Sequence, residues 1–470
     1  MGKIIGRQKE MELLESALQS EKSELIAIYG RRRIGKTFLI REVFKNYIQF
    51  EVTGLFNAEL NDQLNNFTKE IRKKSKKKIV TPKKWLEAFS LLEEYLDGHK
   101  SVSKKVVFID EFPWLASQKS KFLASFENFW NSYATKRKDL IIVVCGSAAS
   151  YMVNQIIKNK GGLHNRISQK IRLLPFNLYE TELFLKSRNI NYTQYDILQL
   201  YMVIGGIPHY LEKIKKGSSV PQNIDRLCFD KDGALYDEFN QLFSSLFDDS
   251  DRHMAIIKAL ATSRKGIPRN LLIEKSKISS GGDFTKKIEE LIESGFVSQY
   301  TSLGKKAKES LYRLSDEYSL FYLKFIHQNK SLGEGTWQKL YTTPSYISWS
   351  GFSFETLCLR HIFQIKKALG VQSIYSVNSS WFNKNAQIDL LIDRDDNIVN
   401  ICELKFSNTP FSISKKYHKN LRNKIEEFTR EYDTRKNIFL IMITTFGVKE
   451  NEYSLEIMEN ELTTECLFKN

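Results

Sequence analysis

The sequence predicts a multi-domain α/β protein, with a doubly wound parallel sheet, a helical lid, a winged helix-turn-helix and a C-terminal α/β domain. Three observations indicate this class. The chain has 470 residues, whereas one hydrophobic core serves roughly 250–300 residues. Its first part alternates short apolar strands with amphipathic helices, as helix-covered parallel sheets do. Its later part changes to helical periodicity and then to further strands, so we place domains at 1–176, 177–249, 250–328 and 329–470.

Five apolar segments are the predicted strands of the first domain. A further strand lies between the first and the third along the chain, so the fourth has room to insert between those two in the sheet. Wholly helical periodicity follows and breaks at Gly205-Gly206-Ile207-Pro208, which predicts a small helical lid. The predicted strands are Leu25–Tyr29, Ile48–Val52, Val106–Asp110, Leu140–Cys145 and Lys170–Leu174.

The hydropathy of the chain predicts a cytoplasmic protein that makes no membrane contact. Its longest apolar stretches, such as Leu140–Cys145, are far shorter than the ~20 residues of a membrane helix. Met1–Met11 has no apolar signal-peptide core. Five cysteines occur without a CxxC pair, so reduced thiols are expected.

The charge of the chain favours an anionic partner. Lysine and arginine exceed aspartate and glutamate by 16, and a positive field of this size concentrates polyanions. Nucleic acid, DNA above RNA, is therefore the predicted partner. The alternative is a basic surface that serves solubility alone.

A glycine-rich loop follows the first predicted strand. Residues 30–37 read GRRRIGKT and fit the phosphate-loop pattern GxxxxGK[ST]. In that pattern backbone N–H groups wrap the phosphates, the lysine reaches the β- and γ-phosphates, and the hydroxyl takes a magnesium site. We therefore predict ATP and Mg²⁺ as ligands. The residues predicted to hold the nucleotide are Gly30, Arg33, Ile34, Gly35, Lys36, Thr37 and Phe38, with Lys36 also catalytic.

Two carboxylates end the third predicted strand. Val106–Asp110 is apolar up to Asp110, which places this carboxylate at the edge of the sheet where ligands bind. Asp110 is predicted to hold magnesium with Thr37, and Glu111 to polarise the attacking water. The alternative is an acidic strand end without chemistry.

Two further residues are catalytic candidates. Ser147 follows the fourth predicted strand and is expected beside the γ-phosphate, although a serine in a turn is also an ordinary structural feature. Arg166 follows a Gly161-Gly162 turn and is predicted to meet the γ-phosphate in cis or from a neighbouring chain, unless it forms only a surface salt bridge.

Residues 252–325 show the order of a winged helix-turn-helix. Lys286 and Lys287 lie on the predicted recognition helix, where basic side chains reach phosphates. Lys305, Lys306 and Lys308 lie on the predicted wing. The alternative role is to transmit the nucleotide state rather than to bind DNA.

A predicted hairpin in the C-terminal domain brings charged residues together. Asp389 lies on its first strand, and Glu403 and Lys405 share one face of the second. Two carboxylates and an amine at one point outline a magnesium-dependent nuclease site, in which Asp389 and Glu403 hold the metal. Exposed charge alternation on a hairpin is the alternative. The arrangement resembles the PD-(D/E)xK nucleases, and Glu355 on the preceding helix is then a fourth member.

The motifs of the first half resemble archaeal-type P-loop ATPases of the STAND branch of the AAA-like superfamily. The resemblance implies that Gly6, Arg7 and Pro208 line the adenine, although Pro208 suits a helix start in any case. The motifs that carry it are Gly6-Arg7-Gln8-Lys9-Glu10, the phosphate loop, Asp110-Glu111-Phe112-Pro113-Trp114-Leu115, Cys145-Gly146-Ser147 and Gly205-Gly206-Ile207-Pro208.

Two hypotheses follow for the whole chain. In the first, ATP binding and slow hydrolysis control the winged helix and a nuclease-like, nucleic-acid-binding tail. In the second, the chain is a regulatory switch whose catalytically dead tail recruits a protein or DNA partner. A homo-oligomer is compatible with both.

Overall fold

The computed structural model describes residues 3–75, 78–99, 103–117, 119–158, 161–247, 249–263, 266–301, 303, 309–432 and 434–469. The chain divides into two compact units. The first comprises Met1–Leu174 with Glu293–Gly295, and the second comprises Pro175–Ile292 with Phe296–Asn470. The finer division into four domains stays a prediction.

The first unit is a parallel five-stranded sheet with helices. The strand order is β2-β3-β4-β1-β5, and every pair is parallel. The prediction that the fourth strand inserts between the first and the third is confirmed. The elements are α1 (Gln8–Leu18), β1 (Glu24–Tyr29), α2 (Lys36–Val43), β2 (Ile48–Thr53), α3 (Leu60–Ser75), α4 (Trp85–Asp97), β3 (Lys105–Asp110), α5 (Phe112–Leu115), α6 (Phe122–Ser132), β4 (Leu140–Gly146), α7 (Ala149–Tyr151) and β5 (Gln169–Arg172).

An aromatic layer packs α3, α4 and α6 together on one face of this sheet. Phe67 of α3 contacts Trp85 and Phe89 of α4, and Trp85 contacts Phe122 of α6. Every residue of β3 and β4 is buried, as expected for central strands of a covered parallel sheet. The packing holds the carboxyl ends of β1, β3 and β4 at one edge of the sheet.

The second unit begins with helices, in the region predicted as a lid. Asn177 and Glu180 form a capping box at the start of α8. After α9 the chain turns at Gly205, and a Cβ on Gly206 would lie 1.9 Å from the carbonyl oxygen of Phe176. Only glycine permits this approach. The helices are α8 (Leu178–Ser187), α9 (Gln194–Ile204), α10 (Pro208–Leu211), α11 (Val220–Cys228) and α12 (Glu238–Leu246).

Three helices and a small sheet form the next segment. The strand order is β6-β8-β7 with antiparallel pairs. The predicted wing residues Lys305, Lys306 and Lys308 lie outside the described residues. The elements are α13 (Ser250–Ala261), β6 (Ile267–Pro268), α14 (Arg269–Ser276), α15 (Gly282–Glu293), β7 (Val297–Tyr300) and β8 (Leu311–Leu314).

The C-terminal part of the second unit has a mixed five-stranded sheet of order β15-β13-β11-β10-β9. The pairs β9–β10 and β10–β11 are antiparallel, and β11–β13 and β13–β15 are parallel. The helices are α16 (Glu317–Phe321), α17 (His327–Asn329), α18 (Thr336–Leu340), α19 (Pro344–Arg360), α20 (Ile362–Ala368), α21 (Lys415–Tyr432) and α22 (Glu452–Ile457). The strands are β9 (Ser376–Phe382), β10 (Gln387–Arg394), β11 (Ile398–Lys405), β12 (Phe411–Ser412), β13 (Asn437–Thr444), β14 (Val448–Lys449) and β15 (Asn460–Thr463).

The longest helices, α19 and α21, pack within the second unit. Leu421 and Phe428 of α21 join the hydrophobic core of the sheet, while its other face is charged. Among the described residues, no helix combines the length and the apolar character that crossing a membrane requires.

Candidate nucleotide site and C-terminal cleft

The phosphate loop depends on glycine at Gly30. Its φ is 146°, and a Cβ there would lie 2.3 Å from the carbonyl oxygen of Leu173. Any other side chain would push the loop away from β5. Gly35 has a φ of 89° and stands immediately before α2, so the loop delivers its backbone to the helix N-terminus.

Lys36 lies across the loop that precedes it. Its Nζ donates hydrogen bonds to the carbonyl oxygens of Gly30, at 2.8 Å, and Arg31, at 2.9 Å. The side chain is buried, with 6% of its surface exposed. A buried ammonium held at the centre of a phosphate loop is suited to bind phosphate oxygens.

Thr37 and Asp110 meet across the site. The Thr37 hydroxyl donates a 2.9 Å hydrogen bond to the Asp110 carboxylate, which also accepts one from the Glu111 backbone N–H at 3.0 Å. Burial and the neighbouring Glu111 charge raise the pKa of Asp110. A buried carboxylate that lacks a cationic partner strong enough to offset burial fits a divalent cation. The Thr37 hydroxyl and the Asp110 carboxylate are oxygen donors, the kind of ligand that Mg²⁺ prefers.

Glu111 is held by Ser147. The Glu111 carboxylate accepts hydrogen bonds from the Ser147 N–H, at 3.1 Å, and from its hydroxyl, at 2.8 Å. Glu111 has left-handed backbone geometry, with φ 45° and ψ 49°, a strained conformation for glutamate. A Cβ on Gly54 would lie 2.6 Å from the Glu111 carbonyl oxygen, and one on Gly146 would lie 2.8 Å from Pro113. These close approaches hold the carboxylate beside Ser147.

The opening segment reaches the same loop. Gly6 and Arg7 both have positive φ angles, of 64° and 59°. The Arg7 guanidinium is buried and donates a 3.4 Å hydrogen bond to the carbonyl oxygen of Ile34. The structure therefore brings the opening segment to the phosphate loop, whereas the adenine contact itself stays a prediction.

The remaining loop residues face different surroundings. Arg33 is exposed and has a φ of 69°, and Phe38 on the first turn of α2 is 43% exposed. The Ile34 side chain is 1% exposed, so it packs in the core and offers the nucleotide only its backbone. Their predicted nucleotide contacts stay predictions.

Arg166 lies far from the phosphate loop of its own chain. β5 runs parallel to β1, and Ser168 pairs with Leu25 at the beginning of β1. Arg166 therefore lies at the amino edge of the sheet, whereas the phosphate loop leaves the opposite edge. The predicted contact in cis is wrong for this reason. A contact made from a neighbouring chain stays a prediction.

Two predictions fall in the second unit. Pro208 occupies the first turn of α10, as a helix start would require, and its base contact stays a prediction. On α15, Lys286 is 72% exposed. Lys287 is buried and its Nζ pairs with Asp249 at 3.0 Å and with Asp283 at 3.5 Å. The predicted phosphate contact of Lys287 is therefore wrong.

The predicted hairpin forms and brings its charges together. Leu390 pairs with Cys402, which makes Asp389 and Glu403 the next pair in register. The charges of Asp389, Lys405 and Glu403 all act on Glu355 of α19. The other three predicted residues thus lie close enough for their charges to act on Glu355, and the action of all four as one site stays a prediction.

Glu403 forms ion pairs with two lysines. Its carboxylate contacts Nζ of Lys424 at 2.7 Å and Nζ of Lys405 at 3.0 Å, and accepts a hydrogen bond from the Tyr417 hydroxyl. Burial raises the pKa of Glu403, but the two ammonium groups outweigh burial and leave the pKa below its usual value. Among the described residues, no group of three or more His, Cys, Asp or Glu side chains is arranged to hold a metal ion. Metal binding by Asp389 and Glu403 stays a prediction.

A cleft of about 170 Å³ opens beside this site. Glu355 and Asp389 line it, and Ser298, Tyr300 and Arg313 close it from the small sheet. Burial and the Asp389 charge raise the pKa of Glu355 to about 7, against the opposing charges of Arg313 and Lys405. Glu355 and Asp389 are the carboxylates that a cation bound in the cleft would contact.

Sequence reasoning missed three residues of the C-terminal site: Arg313, Tyr417 and Lys424. Arg313 was detectable as a charged residue in the short strand β8, LYRL, all of whose residues are buried. Lys424 and Tyr417 lie on α21, where basic residues are frequent. Nothing in the local pattern distinguishes these two from their exposed neighbours.

The parallel sheet and the phosphate loop of the first unit are similar to those of P-loop ATPases. Residues 4–214 match a family described as an ATPase domain predominantly from Archaea. Residues 322–427 match a second family, described as archaeal and bacterial proteins of unknown function.

Similar proteins come from archaea. An uncharacterized protein of Methanocaldococcus jannaschii is 24% identical over 90% of this chain and 91% of its own length. An uncharacterized ATP-binding protein of the same organism is 26% identical over 52% of this chain and 79% of its own length. The second of these relatives is described as ATP-binding.

Solved structures with similarity include a Walker-type ATPase of Pyrococcus abyssi, with 18% identity and a TM-score of 0.48, covering 68% of this chain and 96% of that one. The ORC2 protein of Aeropyrum pernix, in ADPNP–ADP complexes, has 16% identity and a TM-score of 0.42, covering 70% of this chain and 96% of that one. The similarity to P-loop ATPases rests on the sheet order, the motifs and the family match, and not on these structures.

Proposed function

We propose that the first unit binds ATP with Mg²⁺ and hydrolyses it slowly, and that the nucleotide state controls a winged helix and a nuclease-like, nucleic-acid-binding C-terminal domain. The observation that carries the ATPase proposal is the contact network of Thr37, Asp110, Glu111 and Ser147 beside Lys36.

Each residue of this network has a role that its contacts support. Lys36 exchanges the loop carbonyls for phosphate oxygens, and Thr37 with Asp110 holds Mg²⁺, which neutralises phosphate charge when bound. Glu111 orients the attacking water and accepts its proton. The two hydrogen bonds from Ser147 hold the Glu111 carboxylate in place for this role.

Nucleotide binding and phosphate release by the full chain test this proposal. We expect Lys36→Ala to lose ATP binding, because the buried ammonium is removed. We expect Glu111→Gln to bind ATP and to release no phosphate. Lys45→Ala and Glu94→Gln, both at exposed positions of the same unit, are the matched controls. Phosphate release by Glu111→Gln at the wild-type rate would remove Glu111 from the mechanism.

For the C-terminal domain we propose magnesium-dependent cleavage of nucleic acid, with Glu355, Asp389, Glu403 and Lys405 as its site. The strand register that places Asp389 opposite Glu403 and the ion pair of Lys405 with Glu403 support it. A metal bound there would activate a water molecule for attack on a phosphodiester. Exposed lysines on the first turns of α21, next to Tyr417 of the site, would attract the nucleic-acid backbone. They are Lys415, Lys416 and Lys419.

The alternative is a catalytically dead domain that recruits a protein or DNA partner under control of the ATPase. The ion pairs of Glu403 with Lys424 and Lys405 favour this alternative, because they satisfy the carboxylate without a metal. The winged helix would then serve to transmit the nucleotide state. Of the described lysines on the predicted recognition helix, Lys286 is exposed and is therefore the one available to contact DNA.

Cleavage assays separate the two alternatives. Linear, branched and single-stranded DNA are incubated with Mg²⁺ or Mn²⁺, with and without ATP, using the wild type, Asp389→Ala and Lys36→Ala. Cutting that is lost in Asp389→Ala and altered in Lys36→Ala supports an ATP-controlled nuclease. Absence of cutting under every condition leaves the dead-domain alternative.

A further inference from the structure

The cleft beside the C-terminal site is built from two different sheets. The small sheet contributes Ser298 and Tyr300 of β7 and Arg313 of β8, while α19 and the strands β9 and β10 contribute the other walls. The cleft therefore includes residues from outside 329–470, the predicted C-terminal domain.

Arg313 is held firmly at the border of this cleft. Its Nη2 donates a 2.9 Å hydrogen bond to the Thr356 hydroxyl and lies 3.8 Å from the Glu355 carboxylate. The guanidinium stacks over the Phe352 ring, 4.5 Å from its centroid. These contacts, all with α19, fix the guanidinium without using its Nε.

Two buried polar groups of the cleft lack partners. Arg313 and Ser379 are 7% and 8% exposed, and both line the cleft. Among the described residues, neither Arg313 Nε nor Ser379 Oγ has a hydrogen-bond partner. Arg313 Nε is a donor only and the serine hydroxyl can donate as well. A buried donor without a partner is costly, so the pair is suited to a ligand that brings acceptor oxygens.

The carboxylates of the same cleft limit which oxyanion fits. Asp389 and Glu355 would repel a free anion, whereas a divalent cation bound to them would attract one. A phosphate group can contact both the guanidinium and the cation, because its oxygens accept hydrogen bonds from a guanidinium and also coordinate hard cations.

We propose that Arg313 and Ser379 bind a phosphate of a nucleic-acid strand in this cleft, next to a divalent cation held by Glu355 and Asp389. The inference rests on the nucleic-acid role proposed for the C-terminal domain. It makes the small sheet part of the substrate site, so that a displacement of the winged helix removes a phosphate ligand. Arg313 is a substrate-positioning residue in this arrangement.

Binding of a short fluorescein-labelled single-stranded DNA to the full chain, measured by fluorescence anisotropy in Ca²⁺ or in EDTA, tests the inference without requiring cleavage. We expect Arg313→Gln to weaken Ca²⁺-dependent binding roughly tenfold or more, since a charged hydrogen bond is lost. Ser379→Ala should weaken it less, and Arg313→Lys, which keeps the charge but lacks the Nε donor, should be intermediate.

Arg394→Gln is the matched control, because Arg394 pairs with Asp396 on the same sheet and does not line the cleft. It should bind as the wild type does. A thermal unfolding profile like that of the wild type shows that the second unit, which contains both substitutions, is folded. A strand with a neutral methylphosphonate backbone should not bind, and millimolar inorganic phosphate that displaces the DNA completely would point to free phosphate as the ligand and overturn the proposal.

Unchanged or tighter DNA binding by both Arg313→Gln and Ser379→Ala would overturn the inference and leave Arg313 as an internal counter-ion of Glu355. Asp389→Asn provides the separate test of the nuclease-like site. If Asp389→Asn keeps the Ca²⁺ dependence, the metal site proposed for the domain fails, whatever Arg313→Gln does.

Discussion

The carboxylate of Glu111 accepts hydrogen bonds from both the backbone N–H and the hydroxyl of Ser147, 36 residues further along the chain. The contact joins the end of β3 to the end of β4, the strand that inserts between β1 and β3. It orients the carboxylate proposed to act on water.

Ser147→Ala should reduce ATP hydrolysis and leave ATP affinity unchanged. The variant keeps the backbone hydrogen bond to Glu111 but loses the one from the hydroxyl, so we expect about a tenfold slower single-turnover rate. Rapid-quench measurement with saturating protein reports this rate. Ser150→Ala, on the same turn, is the control, and a wild-type rate in Ser147→Ala would contradict the role of the contact.

Thr37→Ala should weaken the magnesium dependence of nucleotide binding. The variant removes the hydroxyl that meets the Asp110 carboxylate, so we expect about a tenfold loss of ATP affinity in Mg²⁺. Titration of a fluorescent ATP analogue in Mg²⁺ and in EDTA measures it. Affinity in EDTA should be unaffected, as should both affinities in the exposed control Thr53→Ala. An equal loss in Mg²⁺ and in EDTA would rule out a metal contact by Thr37.

Glu355→Gln should remove a loss of stability that the wild type shows as the pH rises above about 5. The unfolded carboxyl has lost its proton by about pH 5, whereas burial lets the native one keep it up to a pKa of about 7. The native state therefore binds more protons in this window, and stability falls as the pH rises through it. The variant lacks the ionisable group. Its free energy of unfolding relative to that of the wild type should therefore be about 2 kcal/mol larger near pH 8 than near pH 5.

Calorimetric Tm values of Glu355→Gln and the wild type between about pH 5 and pH 8 measure this difference. Glu426→Gln, at an exposed position of α21, should show a constant offset. The prediction fails if the Tm difference between Glu355→Gln and the wild type does not grow with pH.

Lys424→Ala should destabilise the second unit. Its ammonium lies 2.7 Å from the Glu403 carboxylate, which is 1% exposed and keeps Lys405 and Tyr417 as partners. Loss of this one charged hydrogen bond costs about 2 kcal/mol. If the site also accepts a metal, Mn²⁺ should restore part of the lost stability, because a cation replaces the ammonium. Thermal unfolding with and without Mn²⁺ measures both effects, with exposed Lys416→Ala as the control. A wild-type Tm for Lys424→Ala would contradict the role of the ion pair.

Much of the fold was predictable because its signals are local. The predicted strands Val106–Asp110 and Leu140–Cys145 are each one residue shorter than β3 and β4, and the alternation of strands and helices in the first unit predicted a parallel sheet. The strand β15 was missed, since its residues NELT lack an apolar alternation and only pairing with β13 makes them a strand.

Side-chain partners distant in sequence could not be predicted. In the sequence, Lys287 cannot be distinguished from a lysine on an exposed helix face. In the structure it is buried and forms ion pairs with Asp249 and Asp283. Arg166 precedes a strand in the sequence, but only the parallel pairing of β5 with β1 shows that it lies at the edge away from the phosphate loop.

The sequence by itself determined the phosphate loop of Gly30 to Thr37 and the Asp110-Glu111 pair, because each motif lies within a few consecutive residues at a strand end. Only the tertiary structure decided that Ser147 donates a hydrogen bond to Glu111 and that Lys424 pairs with Glu403. It also decided that Arg313 lines the C-terminal cleft from another sheet. The physical reason is that such contacts depend on strand order, register and burial, which arise when distant segments pack together.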